Sequence, residues 1–429
     1  MASDQESMRI LFLLPDFPYP PSTGGRLKVF NELAYLSERH QCDILCFGKP
    51  DNIQKSGLAA ALPKVRVEGL IPAPSGMSKL VGMVWNLIRG LPPSLAAFSA
   101  RNYALAVKGC LAKGHYDVVH YDIVNMAQYL PLGSKLPSVH SPNDATSLVY
   151  FRVAGQTPWS LAKIRLLISA IFLRRFEQRM YPLFTKVHVV SGVDAAYLKR
   201  LDPMIDISTI PITIDGDFLV KVHGYDRKNE VPEFGPRIVC TGNLGNPAIA
   251  QGVEEFLQDA FPSILQKMPN TQFVVLGQNV SPSLQQKLKD TANVEFHTWV
   301  DDYRSFLAQA DVVLVPDCAG PPGAKTRTVQ AMGLGLPVVG TDVAFEGIPL
   351  TNGEHALVYR TMPECAELIL KLLNNRGMRD MLGANAHRLA VEEFALSSVG
   401  PKYENLYKDA VIKHKSHQHN AGHAQILAL

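Results

Sequence analysis

The stretch from Asp311 to Thr341, DVVLVPDCAGPPGAKTRTVQAMGLGLPVVGT, leaves a chain few folds to choose from. It opens on an apolar run, Val312 to Val315, bounded by breakers. Such a run reads as a strand buried on both faces of a parallel sheet. A Pro/Gly-rich loop, Pro316 to Gly323, leads through Lys325-Thr326-Arg327 into a helical pattern ending near Met332. Gly333 and Gly335 stop that helix, and Leu336 to Val339 starts the next strand. Strand, glycine loop, helix, strand is the repeating unit of a parallel sheet layered with helices.

The loop lies where a strand gives way to a helix. Free N–H groups point outward there, and the helix dipole favours an anion. Lys325, Thr326 and Arg327 stand beside it, and Gly320 and Gly323 let a ligand approach the backbone. A phosphate or pyrophosphate is the natural guest. The plainer reading is a connecting loop with solvated basic residues.

The same logic appears at the start of the chain. Arg9 to Leu14 reads as a strand, PDFPYPPSTGG as a loop, and Arg26 to Arg39 as a helix with Leu27, Phe30, Leu33, Ala34 and Leu36 at helical spacing. Gly24-Gly25 offers backbone donors to a pyrophosphate, or simply a tight turn. The spacing is not GxGxxG with a downstream acid, which argues against a dinucleotide oxidoreductase. Further strands are expected at Cys42–Phe47, Val65–Leu70, Tyr116–Tyr121, Leu136–His140 and Lys186–Ser191. His140, Asn143 and Asp144 fall just past a strand end, on the edge where α/β proteins place their chemistry. His140 is a candidate general base, and Asp144 is its rival. Alternatively, Asp144 caps the following helix.

Residues 211–236 carry Gly, Pro and charge clusters, a linker signature. A second series begins at Arg237 with RIVCTGNLGNPAIAQGVEEFL, in which Asn243 sits in the first loop. Strands at Phe273–Leu276 and Val294–His297 follow. Two successive strand–helix series predict an α/β protein of two doubly wound Rossmann-like domains facing across a cleft, residues 1–210 and 211–395. A helix within 396–413 is expected to pack back on the first domain, and a His-rich tail, 414–429, to be flexible.

A net charge of +3 does not suggest a nucleic-acid binder. The six cysteines are scattered without zinc spacing, which fits a reducing compartment. MASDQESMRI is polar and acidic, unlike a signal peptide, and Trp159–Leu173 is interrupted by Lys163 and Arg165, too short and too charged to span a bilayer. A cytoplasmic protein is expected. Two segments stand apart: the apolar helix from Met77, with Leu80, Val81, Val84, Trp85 and Leu87, and a basic helix at about Pro158–Tyr181 with Arg165, Arg174, Arg175 and Arg179. The plain readings are a core stripe and a solvated face. The sharper one is peripheral contact with a membrane or an apolar acceptor.

The chain resembles the GT-B glycosyltransferases, in particular family 4, often called glycosyl transferases group 1. The resemblance rests on RILFLLPDFPYPPSTGGRLKVFNELAYLSERHQCDILCF in the first half. In the second half it rests on IVCTGNLGNPAIAQGVEEFL, FVVLG and VEFHTWVDDYRSFLAQADVVLVPDCAGPPGAKTRTVQAMGLGLPVVGTDVAFEGI. It implies a nucleotide-sugar donor in the second domain, a glycan, polysaccharide or lipid-linked acceptor in the first, no metal or other cofactor, and transfer with retention. Under it, Gly24, Gly25, Asn243, Lys325, Thr326 and Arg327 would meet the donor diphosphate. His297, Trp299 and Val300 would lie near its base and Gln330 near its ribose, while His140 or Asp144 would position the acceptor hydroxyl. The family commonly places glutamates where this chain has Pro322 and Gln330, and an Arg and a Lys where it has TGNLGNPAIAQGVEEF. These departures define an alternative, a GT-B subunit that binds and stabilises a partner transferase. The sequence carries no reading of oligomeric state.

Overall fold

The computed structural model describes residues 7–426 apart from Pro50, residues 221–234, Trp299 and Asp301, with side chains described as far as Ser416. It contains two compact units, residues 1–213 with 399–429, and residues 214–398.

The first unit is built on a seven-stranded parallel sheet in the order β3-β2-β1-β4-β5-β6-β7. Its strands are β1 Arg9–Leu14, β2 Gln41–Phe47, β3 Val65–Ile71, β4 Val118–Asp122, β5 Ser138–Asn143, β6 Lys186–Val189 and β7 Ile207–Thr209. Along β1, Ile10, Phe12 and Leu14 pack with one hydrophobic cluster and Leu11 and Leu13 with another. That period-two split is what a strand does when both faces are covered. The first cluster includes Val29, Leu33 and Leu36 of the Gly24–Ser37 helix. It also includes Val399, Tyr403, Leu406, Tyr407 and Ala410, one face of the Leu396–Ile426 helix. That helix runs past the expected end at 413. Residues 414–426 continue as helical backbone.

The second unit holds a six-stranded parallel sheet in the order β10-β9-β8-β11-β12-β13. The strands are β8 Arg237–Asn243, β9 Gln272–Gln278, β10 Val294–His297, β11 Val312–Val315, β12 Val338–Gly340 and β13 Leu357–Val358. Strand order reverses between β8 and β11, so the loops leaving these two strands diverge and open a crevice at their carboxyl ends. The Pro247–Glu255 helix after β8 presses against the start of the β11 loop. A Cβ on Gly252 would lie 1.7 Å from the Pro316 carbonyl oxygen, so only glycine fits.

Two local expectations change. The strand expected at Leu136–His140 runs from Ser138 to Asn143, tolerating Pro142 because pairing with β6 shifts register between His140 and Asn143. His140 therefore lies within a strand. The apolar Gly76–Ile88 helix is not a core stripe: among its residues only Asn86 is buried, and Met77, Val81, Val84, Trp85 and Ile88 face solvent.

Candidate functional site

The first unit's candidates sit at the carboxyl ends of β4 and β5. His140 is fully buried, its ring stacked on Phe184 at 4.7 Å and edge-on to Tyr181 at 4.6 Å. Nδ1 donates to the Tyr121 carbonyl at 2.9 Å, and burial lowers the pKa to about 3. The ring is therefore neutral with its proton held at Nδ1, and it has no solvent access from which to take a substrate proton. The reason is its place inside β5. Asp144 lies beyond the strand, half-buried, and does not cap the Thr146–Gln156 helix, whose N-cap is Ala145. The cap comes from other elements: Asp194 accepts from the Ala145 N–H at 2.8 Å, and Glu177 accepts from the Ser147 N–H at 2.9 Å and from its hydroxyl. Burial pushes Glu177 up to about 7, against the pull of the Ser147 hydrogen bonds. Gly24 and Gly25 form the exposed first turn of the Gly24–Ser37 helix, after the Thr23 N-cap, and a Cβ on Gly25 would meet nothing within 4 Å.

Beneath that helix lies a buried ionic network. Lys28 Nζ donates to Ser141 Oγ at 2.6 Å and Asp122 Oδ1 at 3.3 Å, and stands 3.4 Å from Glu32. Tyr407 donates to Glu32 at 2.6 Å and lies 2.7 Å from His120 Nδ1. Burial opposes the charge on all three ionic groups. Their mutual attraction outweighs it, holding Lys28 above its ordinary pKa and Glu32 and Asp122 below theirs.

The second unit contains a pocket of about 200 Å³ at the carboxyl ends of β8, β9 and β10. Asn243, His297, Val300 and Arg327 all line it, with Gly242, Gly277 and Tyr303. Small residues at the strand ends leave the floor open. Asn243 Oδ1 accepts from the Gly245 N–H at 3.0 Å, which tightens the turn after β8. His297 Nε2 bonds Glu295 at 2.7 Å, fixing the ring at the pocket's edge. Arg327 is paired with the buried Asp317, so its charge is not wholly free for a ligand. Gln330 is buried one turn further along the helix and accepts from the Tyr303 hydroxyl at 2.7 Å. Burial pushes that hydroxyl up to about 12, which keeps it a donor. Lys325 is the N-cap of the Thr326–Gly333 helix, and its Nζ donates to the carbonyls of Pro321 (2.5 Å) and Gly323 (2.9 Å), closing the glycine loop. Trp299 lies outside the described residues.

Sequence reading missed Tyr303 and Asp317. Asp317 had a signal, being the first ionisable residue after β11. Tyr303 had none that separates it from a packing aromatic.

Residues 235–375 match the model of the family described as glycosyl transferases group 1. The capsular polysaccharide biosynthesis glycosyltransferase CapM of Staphylococcus aureus is 25% identical over 173 residues, 39% of this chain and 45% of that protein. A phosphatidyl-myo-inositol mannosyltransferase of Mycobacterium tuberculosis is 24% identical over 315 residues, 70% of this chain and 76% of that one. Among solved structures, sucrose-phosphate synthase of Thermosynechococcus elongatus superposes with a TM-score of 0.68 at 17% identity, over 93% of this chain and 98% of that one. HepE of Anabaena, solved with UDP-glucose, superposes with a TM-score of 0.61 at 15% identity, over 93% and 98%. The chain is a GT-B-fold protein, and its second unit carries a group 1 glycosyl transferase domain.

Proposed function

We propose that this protein transfers a sugar from a nucleotide-diphosphate sugar to a hydroxyl acceptor, of glycan, polysaccharide or lipid-linked type, without a metal and with retention of configuration. The observation that carries the reading is the second unit's pocket, where Asn243, His297, Val300 and Arg327 converge at the crevice of a doubly wound sheet. HepE was solved with UDP-glucose, CapM is named for capsular polysaccharide, and the mannosyltransferase for a phosphatidylinositol; donor and acceptor classes are taken from that company.

In this reading the nucleoside lies along the β9–β10 edge, with its ribose toward Gln330 and Tyr303. The leaving diphosphate gathers negative charge as the glycosidic bond breaks. The Thr326–Gly333 helix N-terminus, Lys325 and Arg327 would hold that charge, a stabilisation already oriented before reaction. Asp144 would help orient the acceptor hydroxyl. Work at a membrane surface belongs to the same reading.

Thermal shifts with UDP, GDP, dTDP and ADP test it. A nucleotide at a hundredfold over its Kd stabilises by about 2.7 kcal/mol, which is readily measured. One clear responder names the donor class, whereas silence from all four at millimolar concentration overturns the donor assignment. Lys325→Ala should then lower turnover by at least about tenfold while costing about 1 kcal/mol or less of stability. Equal losses in both would remove Lys325 from the diphosphate site.

A further inference from the structure

The first unit presents two helical stripes whose apolar side chains take no part in its core. On the Gly76–Ile88 helix, Met77, Val81, Val84, Trp85 and Ile88 recur at helical spacing and face solvent, with Trp85 58% and Ile88 72% exposed. On the Leu161–Met180 helix the core is met by Leu173 and Phe176, while Leu161, Ile164, Ile168 and Ile171 form an outward stripe. Trp159, 80% exposed, precedes that stripe, with Lys163 Nζ 4.9 Å from its ring centroid. Leu173 and Phe176 belong to the same cluster as Leu95, Tyr103 and Val107, which follow the first helix in the chain. Gly82 of the first helix packs against Ala96, where a Cβ would lie 3.2 Å from the Ala96 Cβ, so both segments lie on the side of the sheet that this cluster covers.

The charges around these stripes have one sign. Between Glu68 and Asp117 the chain has five Lys or Arg and no acidic residue. Between Asp144 and Asp194 it has seven Lys or Arg and a single acid, Glu177, which is fully buried. Lys79, Arg89, Arg165, Arg174 and Arg175 are exposed. A protein partner would balance this basic rim with acidic side chains and cover a bounded patch. Two separate apolar stripes set among cations, each carrying an exposed tryptophan, match a surface with negative headgroups over hydrocarbon.

The geometry points to a docking face for an anionic phospholipid bilayer, made by the Gly76–Ile88 and Leu161–Met180 helices, which lie in the interface while Trp85 and Trp159 enter it. Among the described residues no helix is long and apolar enough to cross a membrane, so contact at this face would be interfacial. A lipid-linked acceptor would then reach the first unit from the membrane plane.

Co-sedimentation of the full chain with vesicles of phosphatidylglycerol and phosphatidylcholine, against phosphatidylcholine alone, tests this without any nucleotide sugar. Its failure therefore leaves the donor reading standing. Binding is expected to the anionic vesicles only, with a blue shift of tryptophan emission. The Lys79→Glu/Arg89→Glu variant should weaken partitioning at least about tenfold, each lost cation costing about a fivefold factor. Trp85→Ser/Trp159→Ser should remove the blue shift while leaving the UDP-series thermal shifts unchanged. Absence of binding to either vesicle overturns the proposal. So does equal binding to both, or a lipid-free dimer dispersed by Trp85→Ser, which would make the face an interface between copies.

Discussion

The two units share an architecture and differ in what they bury. The first encloses Lys28, Glu32, Asp43, His120, Asp122, His140, Glu177, His188 and Asp194, whereas among the described residues of the second the only buried acidic or basic side chain is Asp317, beside its pocket. The second unit's core is apolar from β8 to the Met362–Leu373 helix. Its polar groups gather instead at the open crevice. One unit has placed its charges inside the fold and the other at the rim of its pocket. The first should therefore respond to pH and charge deletion, and the second to shape.

The largest effect should come from Lys28→Met. It strands Glu32 and Asp122 in a dry interior, and breaking a buried ion pair by deleting one partner costs about 3–5 kcal/mol. Two-probe denaturant unfolding should show the first unit's transition moving and the second's staying, with Glu32→Gln added to Lys28→Met recovering part of the loss. A cost below about 1 kcal/mol would mean that water reaches the network, and the contrast would fail. Gly252→Val is the counterpart in the second unit. Its Cβ has no room against the Pro316 carbonyl, and the strain should cost about 3 kcal/mol there alone.

Acid comes next. His140 and His188 have folded pKa values of about 3 and about 4, depressed chiefly by burial. Their contribution is intact above the unfolded value of about 6.5 and declines below it, by about 2 kcal/mol each at pH 5. Glu177 runs the other way. Its folded pKa is raised to about 7, so the fold gains from its proton as pH falls from 7 toward the ordinary carboxylate range. Between pH 7 and 5 that gain is about 2 kcal/mol, half the histidine loss. Glu177→Gln should therefore make the first unit's acid loss about twice as steep, read by chemical denaturation at fixed pH values. A flat profile in both proteins would contradict the burial assigned to these groups. The smallest effect is Tyr303→Phe, which removes one hydrogen bond to Gln330 and should cost about 1 kcal/mol of second-unit stability. A weaker nucleotide thermal shift in the same variant would tie Gln330's orientation to the ribose.

The same contrast governed what could be read from the sequence. Asn243, His297, Val300 and Arg327 were named together through the family resemblance, and they line one pocket because a doubly wound sheet sends its strand ends and helix starts to one crevice. Lys28 and Glu32 were not. At i and i+4 on a helix they read as a solvated pair, and only coverage from both sides, by the sheet and by Tyr403 and Tyr407, buries them. His140 was misplaced by three residues of strand: β5 continues through Pro142, which has no N–H for the ladder, because a register shift accommodates it. The Met77–Ile88 stripe was visible as periodicity. Periodicity reports that a helix has an apolar face, not whether anything covers it.

The Leu396–Ile426 helix also sets an order of events during synthesis. Residues 214–398 are contiguous, so that unit can close as soon as it has left the ribosome. The unit begun earlier cannot. Val399, Tyr403 and Tyr407 complete its core, and the Tyr407 hydroxyl is the partner of Glu32, translated 375 residues before it. Until those residues emerge, the Gly24–Ser37 helix has one side open and Glu32 has Lys28 beside it but not the Tyr407 hydroxyl. The half of the molecule that is translated first is the half that is finished last.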